Sequence, residues 1–169
     1  MAYQPGEWES FAVAHVGASA ALLGLVFVGI SINLRDIVGS GQLVHRAAEA
    51  VVLLGSVLFA STLVLIPGQS RGALSAELLV LAGALFAVLF FFQLGAVVQP
   101  VDPDNPGPPR GSLAARRVLG LGSAILIAVA GVSLAAEMGG GLYWWPVAIL
   151  AAYLGALLNA WILLVEILR

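Results

Sequence analysis

A chain of 169 residues that is 61% hydrophobic and 9% charged, with mean hydropathy +1.05, has too little polar surface to face water as a globular domain. Soluble domains carry about a quarter charged residues. The net charge of −2 gives no reason to expect a nucleic-acid partner. Cysteine and lysine are both absent, which removes disulfides, thiolate chemistry, Schiff bases and a P-loop lysine.

These figures predict an all-α polytopic membrane bundle. A crossing takes about 20 apolar residues, and five stretches are long enough. The leading residues 1–10 carry Glu7 and Glu9 and no basic residue, the reverse of a signal-peptide start, so the first stretch is expected to remain as a span. That span covers 12–34 and stops at Arg35-Asp36. Its Gly17, Ala20, Ala21, Gly24 and Gly29 form ridges of the small-xxx-small kind, expected to let another helix approach closely, within a subunit or between subunits. His15, near its start, reads as a hydrogen-bonded packing residue, with pH sensing as the competing reading.

The second span covers 47–66 and ends at Pro67-Gly68. Glu49 is expected in the first turn of that helix, where a carboxylate favours the helix dipole, near His45 and Arg46. The third span, 76–98, carries Gln93 close to its end. Residues 99–112 then hold five of the eight prolines and are predicted to be a non-helical, extended linker. Asp102 and Asp104 superficially suggest a calcium loop, but Pro106 takes the fifth ligand position and Leu113 the place of the bidentate glutamate.

The fourth span, 118–136, follows Arg116 and Arg117 and precedes Glu137 and the run Gly139-Gly140-Gly141. The fifth, 143–165, has an ordered stripe. Trp145, Ala148, Ala152, Gly155, Asn159, Ile162 and Glu166 recur at steps of three and four and so share a face. Small residues with one amide read first as a packing seam and second as a cavity or pore face. A shift of 67 positions lays the second span on the fourth, Ala47, Ala48, Val51, Leu54, Gly55 and Ser56 matching Ala114, Ala115, Val118, Leu121, Gly122 and Ser123. This is the pattern of a parallel repeat, with coincidence in an Ala/Gly/Leu/Val-rich sequence as the alternative.

Five spans put Arg35, Arg46, Arg110, Arg116, Arg117 and Arg169 on one side and Arg71 alone on the other. The positive-inside rule then predicts the N-terminus outside, the C-terminus in the cytoplasm and the proline-rich linker cytoplasmic. Tyr3, Trp8, Tyr143, Trp144 and Trp145 gather at the outer interface, where an aromatic belt belongs. In depth, Asn33, Glu49, Gln93, Asn159 and Glu166 fall toward the cytoplasmic ends of their spans, at the level of Arg116 and Arg117. A carboxylate there needs a partner, and these arginines are available. The bland reading is local structural pairing. The sharper one is a cytoplasm-facing vestibule for an ion, proton or lipid headgroup. His15 and His45 lie on opposite sides and cannot share a metal.

No helical His-Glu-x-x-His, Gly-x-Ser-x-Gly elbow or intramembrane Asp pair occurs, so no catalytic residue, metal ligand or cofactor site is predicted, and no enzyme. The stretch Gly17 to Leu34, with Ser31-Ile32-Asn33-Leu34, and the later Pro67-Gly68-Gln69 resemble a group of small multi-pass membrane proteins of actinobacteria. The resemblance implies a bacterial plasma membrane and transfers no activity or site. The expected function is a structural, accessory or regulatory membrane component, packing in the lipid bilayer with itself as a homo-oligomer or with another membrane protein. The alternative is a homo-oligomeric channel or transporter for ions or small solutes.

Overall fold

The computed structural model describes residues 2–39, 41–98 and 110–167, and these are almost wholly helical. A 3-10 turn at Pro5–Trp8 leads into α1 (Glu9–Ile32) and the short α2 (Leu34–Gly39). Four long helices follow: α3 (Gly41–Val64), α4 (Arg71–Val98), α5 (Arg110–Ala136) and α6 (Trp144–Ile167), the last preceded by a second 3-10 turn at Gly141–Tyr143. Five of the helices are long and apolar enough to cross a membrane. At 24 residues, α1 rises about 36 Å, more than the roughly 30 Å of a hydrocarbon core.

The helices overrun the apolar windows at their starts. α3 begins at Gly41, α4 at Arg71 and α5 at Arg110 because backbone bonding continues through residues too polar for a hydropathy window. Two expectations are corrected by this. Glu49 lies in the third turn of α3 rather than its first, so the dipole explanation for it fails. Residues 110–112, expected to be non-helical, belong to α5, since Pro109 is the last proline of the linker and no residue of α5 withholds an N–H. Linker residues 99–109 lie outside the described residues. The sequence reading also missed α2. Asn33 breaks the helix at φ −107° and ψ 20°, and the chain restarts for six residues with Ile37 turned inward.

The turns have local causes. Ser70 caps α4 by accepting the Ala73 N–H at 3.2 Å. α5 ends in a Schellman arrangement, with Glu137 at φ 54° and the Met138 N–H reaching the Ser133 carbonyl at 3.3 Å. Gly139, Gly140 and Gly141 all take positive φ. At Gly141 this freedom is needed twice, because a Cβ there would run into the Ala2 carbonyl and the Tyr3 ring. The N-terminal residues dock on this turn through Leu142 N–H to Ala2 O (2.9 Å) and Gly140 N–H to the Tyr3 hydroxyl (3.2 Å).

Helices α3, α4, α5 and α6 close a ring, α3 and α5 each lying against both α4 and α6, while α1 runs along the outside of α3. Leu53, Leu85, Ala124, Ile127 and Ala152 fill the ring. The shift of 67 positions lays α3 on α5 and α4 on α6, and so the α3–α4 contact on the α5–α6 contact. It also carries the bond from Ser56 Oγ to the Leu53 carbonyl onto that from Ser123 Oγ to the Gly120 carbonyl, both 2.7 Å. Close approaches use glycine: a Cβ on Gly131 would meet the Leu79 side chain at 3.0 Å and the Ser75 carbonyl at 3.2 Å. Ser75 Oγ already donates to the Gly131 carbonyl at 2.8 Å.

α1 is different. Only 11% of its apolar window is buried, against 56% for α3. Gly17, Ala21 and Gly24 are exposed, and a Cβ on either glycine would meet nothing within 4 Å. The ridge expected to be a seam is therefore bare within one chain. Lipid tails are as apolar as leucine, so sequence alone does not say which small-residue face is covered from inside.

Candidate functional site

The ring has a polar level near one end, built by all four of its helices. Glu49 of α3, 1% exposed, receives a salt bridge from Arg116 Nε of α5. Asn159 of α6 donates from Nδ2 to the same carboxylate oxygen, Oε2, at 3.1 Å. Gln93 of α4, 7% exposed, lies beside Gly120, one helical turn above Arg116, where a Cβ would stand 3.4 Å from Gln93 Nε2. Arg46, one turn before Glu49 on α3, is buried too, and the sequence reading did not single it out as a site residue. The signal was its i, i+3 spacing to Glu49.

The electrostatics follow from geometry. A carboxylate in an apolar ring is costly unless paired, and here one oxygen takes both the guanidinium and the amide. Among the described residues the other oxygen, Glu49 Oε1, has no hydrogen-bond partner, and neither do Arg116 Nη2 and Gln93 Nε2, although all three atoms are buried. Each is worth about 1–3 kcal/mol of lost solvation. Buried polar atoms left this way are what ordered water normally satisfies.

The other expected residues fall elsewhere. Asn33 stands at the end of α1 and donates to the Gly29 carbonyl of its own helix at 3.0 Å. Arg117 is exposed, one position round α5 from the buried Arg116. The side chain of Glu166 lies outside the described residues. On the α6 stripe, Trp145, Ala148, Ala152, Gly155 and Asn159 are all buried against the ring. A Cβ on Gly155 would meet Leu53 at 3.0 Å and Leu119 at 3.4 Å, so this face packs on both α3 and α5.

Comparison with protein-family models, curated proteins and solved structures yields no match. The site is therefore read from its own chemistry. Among the described residues no three His, Cys, Asp or Glu side chains converge in a way that could hold a metal.

The opposite end of the bundle is aromatic. Trp8 packs edge-on to Tyr143 and Trp145, with ring centres 5.3 and 6.1 Å apart, and Phe11 meets Trp145 at 5.1 Å. His15 Nδ1 lies 3.2 Å from the Tyr153 hydroxyl, tying α1 to α6. Arg71 pairs with Glu137 at 2.7 Å between the start of α4 and the end of α5. His45, at the other end, meets Phe92 with ring centres 6.0 Å apart and planes tilted by 55°.

Proposed function

We propose that the chain is a five-span protein of the bacterial plasma membrane, N-terminus outside and C-terminus cytoplasmic, that works without enzymatic chemistry. It acts as a structural, accessory or regulatory component, packing with a second copy of itself or with a larger membrane complex. The observation that carries the reading is the bare ridge of α1. A helix that gives so little of its surface to its own bundle, and shows Gly17, Ala21 and Gly24 outward, is suited to close contact with another membrane helix. The separation of ends supports the orientation: Arg35, Arg46, Arg116 and Arg117 gather at one end of the bundle and the tryptophans Trp8, Trp144 and Trp145 at the other. The resemblance to actinobacterial membrane proteins supports the compartment.

A second reading, a channel or carrier for ions or small solutes, is favoured by the partnerless buried atoms at Glu49, Gln93 and Arg116. The α6 stripe faces inward, so a path lined by it would run inside each chain, whatever the oligomer.

The test is the mass of the complex extracted in native lipid. A mass above that of one chain, reduced to one chain by Gly17→Ile with Gly24→Ile, is the expected result. A solitary chain that carries solute flux in liposomes would replace the packing reading with the channel.

A further inference from the structure

α1 and α6 touch at the aromatic end and part toward the arginine end. Trp8 and Phe11 lie against Trp145, and His15 reaches Tyr153. Beyond them a cleft of about 260 Å³ opens between Leu22 and Gly29 of α1 and Leu157 and Ala160 of α6, with Ile37 of α2 closing its base and Asn33 at its end. Its lips, Leu25 and Leu164, are 70% and 54% exposed, so the cleft opens sideways, away from the ring. Apart from Asn33 its lining is wholly apolar, which makes it a poor host for water. From Leu22 to Asn33 it runs along eleven helical steps, roughly 16 Å.

We propose that this cleft binds one acyl chain of an anionic phospholipid, with the headgroup held at the Asn33 end. This rests on the membrane placement above. A narrow apolar slot facing the bilayer sideways is filled by the medium it faces, and that medium is hydrocarbon chain. The headgroup assignment comes from charge. The slot runs toward the end of the bundle where, among the described residues, Arg35, Arg46, Arg110, Arg116 and Arg117 outnumber Asp36, Glu49 and Glu166. Arg35 is exposed and makes no ion pair among the described residues. It sits on α2 beside Leu34 and Val38, 53% and 65% exposed, at the depth where apolar surface gives way to the headgroup layer. A guanidinium there suits a phosphate. Asn33 donates one amide N–H to the Gly29 carbonyl, which leaves its oxygen to accept a headgroup hydroxyl.

The experiment is native mass spectrometry of the purified full chain from micelles supplied with phosphatidylglycerol or with phosphatidylcholine of the same acyl chains. The wild type is expected to keep one phosphatidylglycerol where phosphatidylcholine is lost. Ala160→Phe and, independently, Gly29→Leu fill the slot and are expected to weaken retention at least tenfold. Val80→Phe adds the same bulk on the outer face of α4, where Val80 is 73% exposed, and should retain lipid as the wild type does. Arg35→Gln should remove the preference between the two lipids and leave retention of a chain. Equal retention by the slot-filling variants and Val80→Phe overturns the site. Equal retention of both lipids by the wild type overturns the anionic headgroup. A dimer that dissociates on slot filling while holding no lipid assigns the cleft to a second copy and overturns the proposal. Failure of the membrane placement itself would show separately, as chain that does not co-fractionate with membranes.

Discussion

Removing Arg116 and removing Glu49 should each cost far more than removing both. In Arg116→Met the Glu49 carboxylate stays in the ring, 1% exposed, without the guanidinium that bridges to it and with the Asn159 amide still donating to Oε2. Stripping one partner from a buried ion pair costs about 3–5 kcal/mol. At about 1.4 kcal/mol per tenfold, that raises the unfolded-to-folded ratio by roughly two to three and a half orders of magnitude. Glu49→Met strands the guanidinium in the same way and falls in the same range. The double variant removes both charges and fills the space with apolar atoms, so what remains is chiefly the Asn159 amide without its acceptor, about 1–3 kcal/mol. The double variant is therefore expected to be more stable than either single one. The assay is reversible unfolding in mixed micelles, followed by fluorescence of Trp145, which is fully buried against Trp8 and Phe11 in the native chain. Additive effects, with a coupling under about 0.5 kcal/mol, would refute the pairing as the organising feature of the polar level.

The same substitution at two glycines should have opposite signs. Gly131→Ala pushes a Cβ into Leu79 and the Ser75 carbonyl and should destabilise by about 1–3 kcal/mol, whereas Gly24→Ala meets open space and should be neutral or gain up to about 1 kcal/mol of helix propensity. The same unfolding assay on the isolated chain decides it. Gly141→Ala, at φ +54°, should cost about 1–3 kcal/mol and release the Ala2–Tyr3 segment. Deleting residues 2–3 in that background should then add almost nothing, where the same deletion in the native chain costs the bonds to Leu142 and Gly140.

The apolar segments were legible in the sequence because hydropathy over twenty residues is a bulk property. Their starts were not, because Gly41, Arg71 and Arg110 join helices by backbone bonding that leaves no mark on a hydropathy window. Depth placed Glu49, Asn159, Gln93 and Arg116 at one level, and the fold gathers all four at one end of the ring. It did not reveal that Arg46 is buried beside them while Arg117 is not, since neighbouring positions on a helix differ by a rotation that only packing fixes. The small residues divided unexpectedly. Gly155 and Ala152 pack inside, while Gly17 and Gly24 stand bare. α2 and the docking of Ala2 on Leu142 were invisible, the first for its six-residue length and the second because a backbone hydrogen bond has no side-chain signature.

Because the chain contains no cysteine, single cysteines can be placed at will, and their labelling in intact cells by a membrane-impermeant maleimide tests the central claim directly. Gln4 and Met138 at the aromatic end, and Asp36 and Arg117 at the arginine end, are all exposed positions. The account predicts that Gln4→Cys and Met138→Cys react from outside, and that Asp36→Cys and Arg117→Cys react only after the cells are opened. Reaction of the arginine-end pair from outside, or of all four alike, would contradict it.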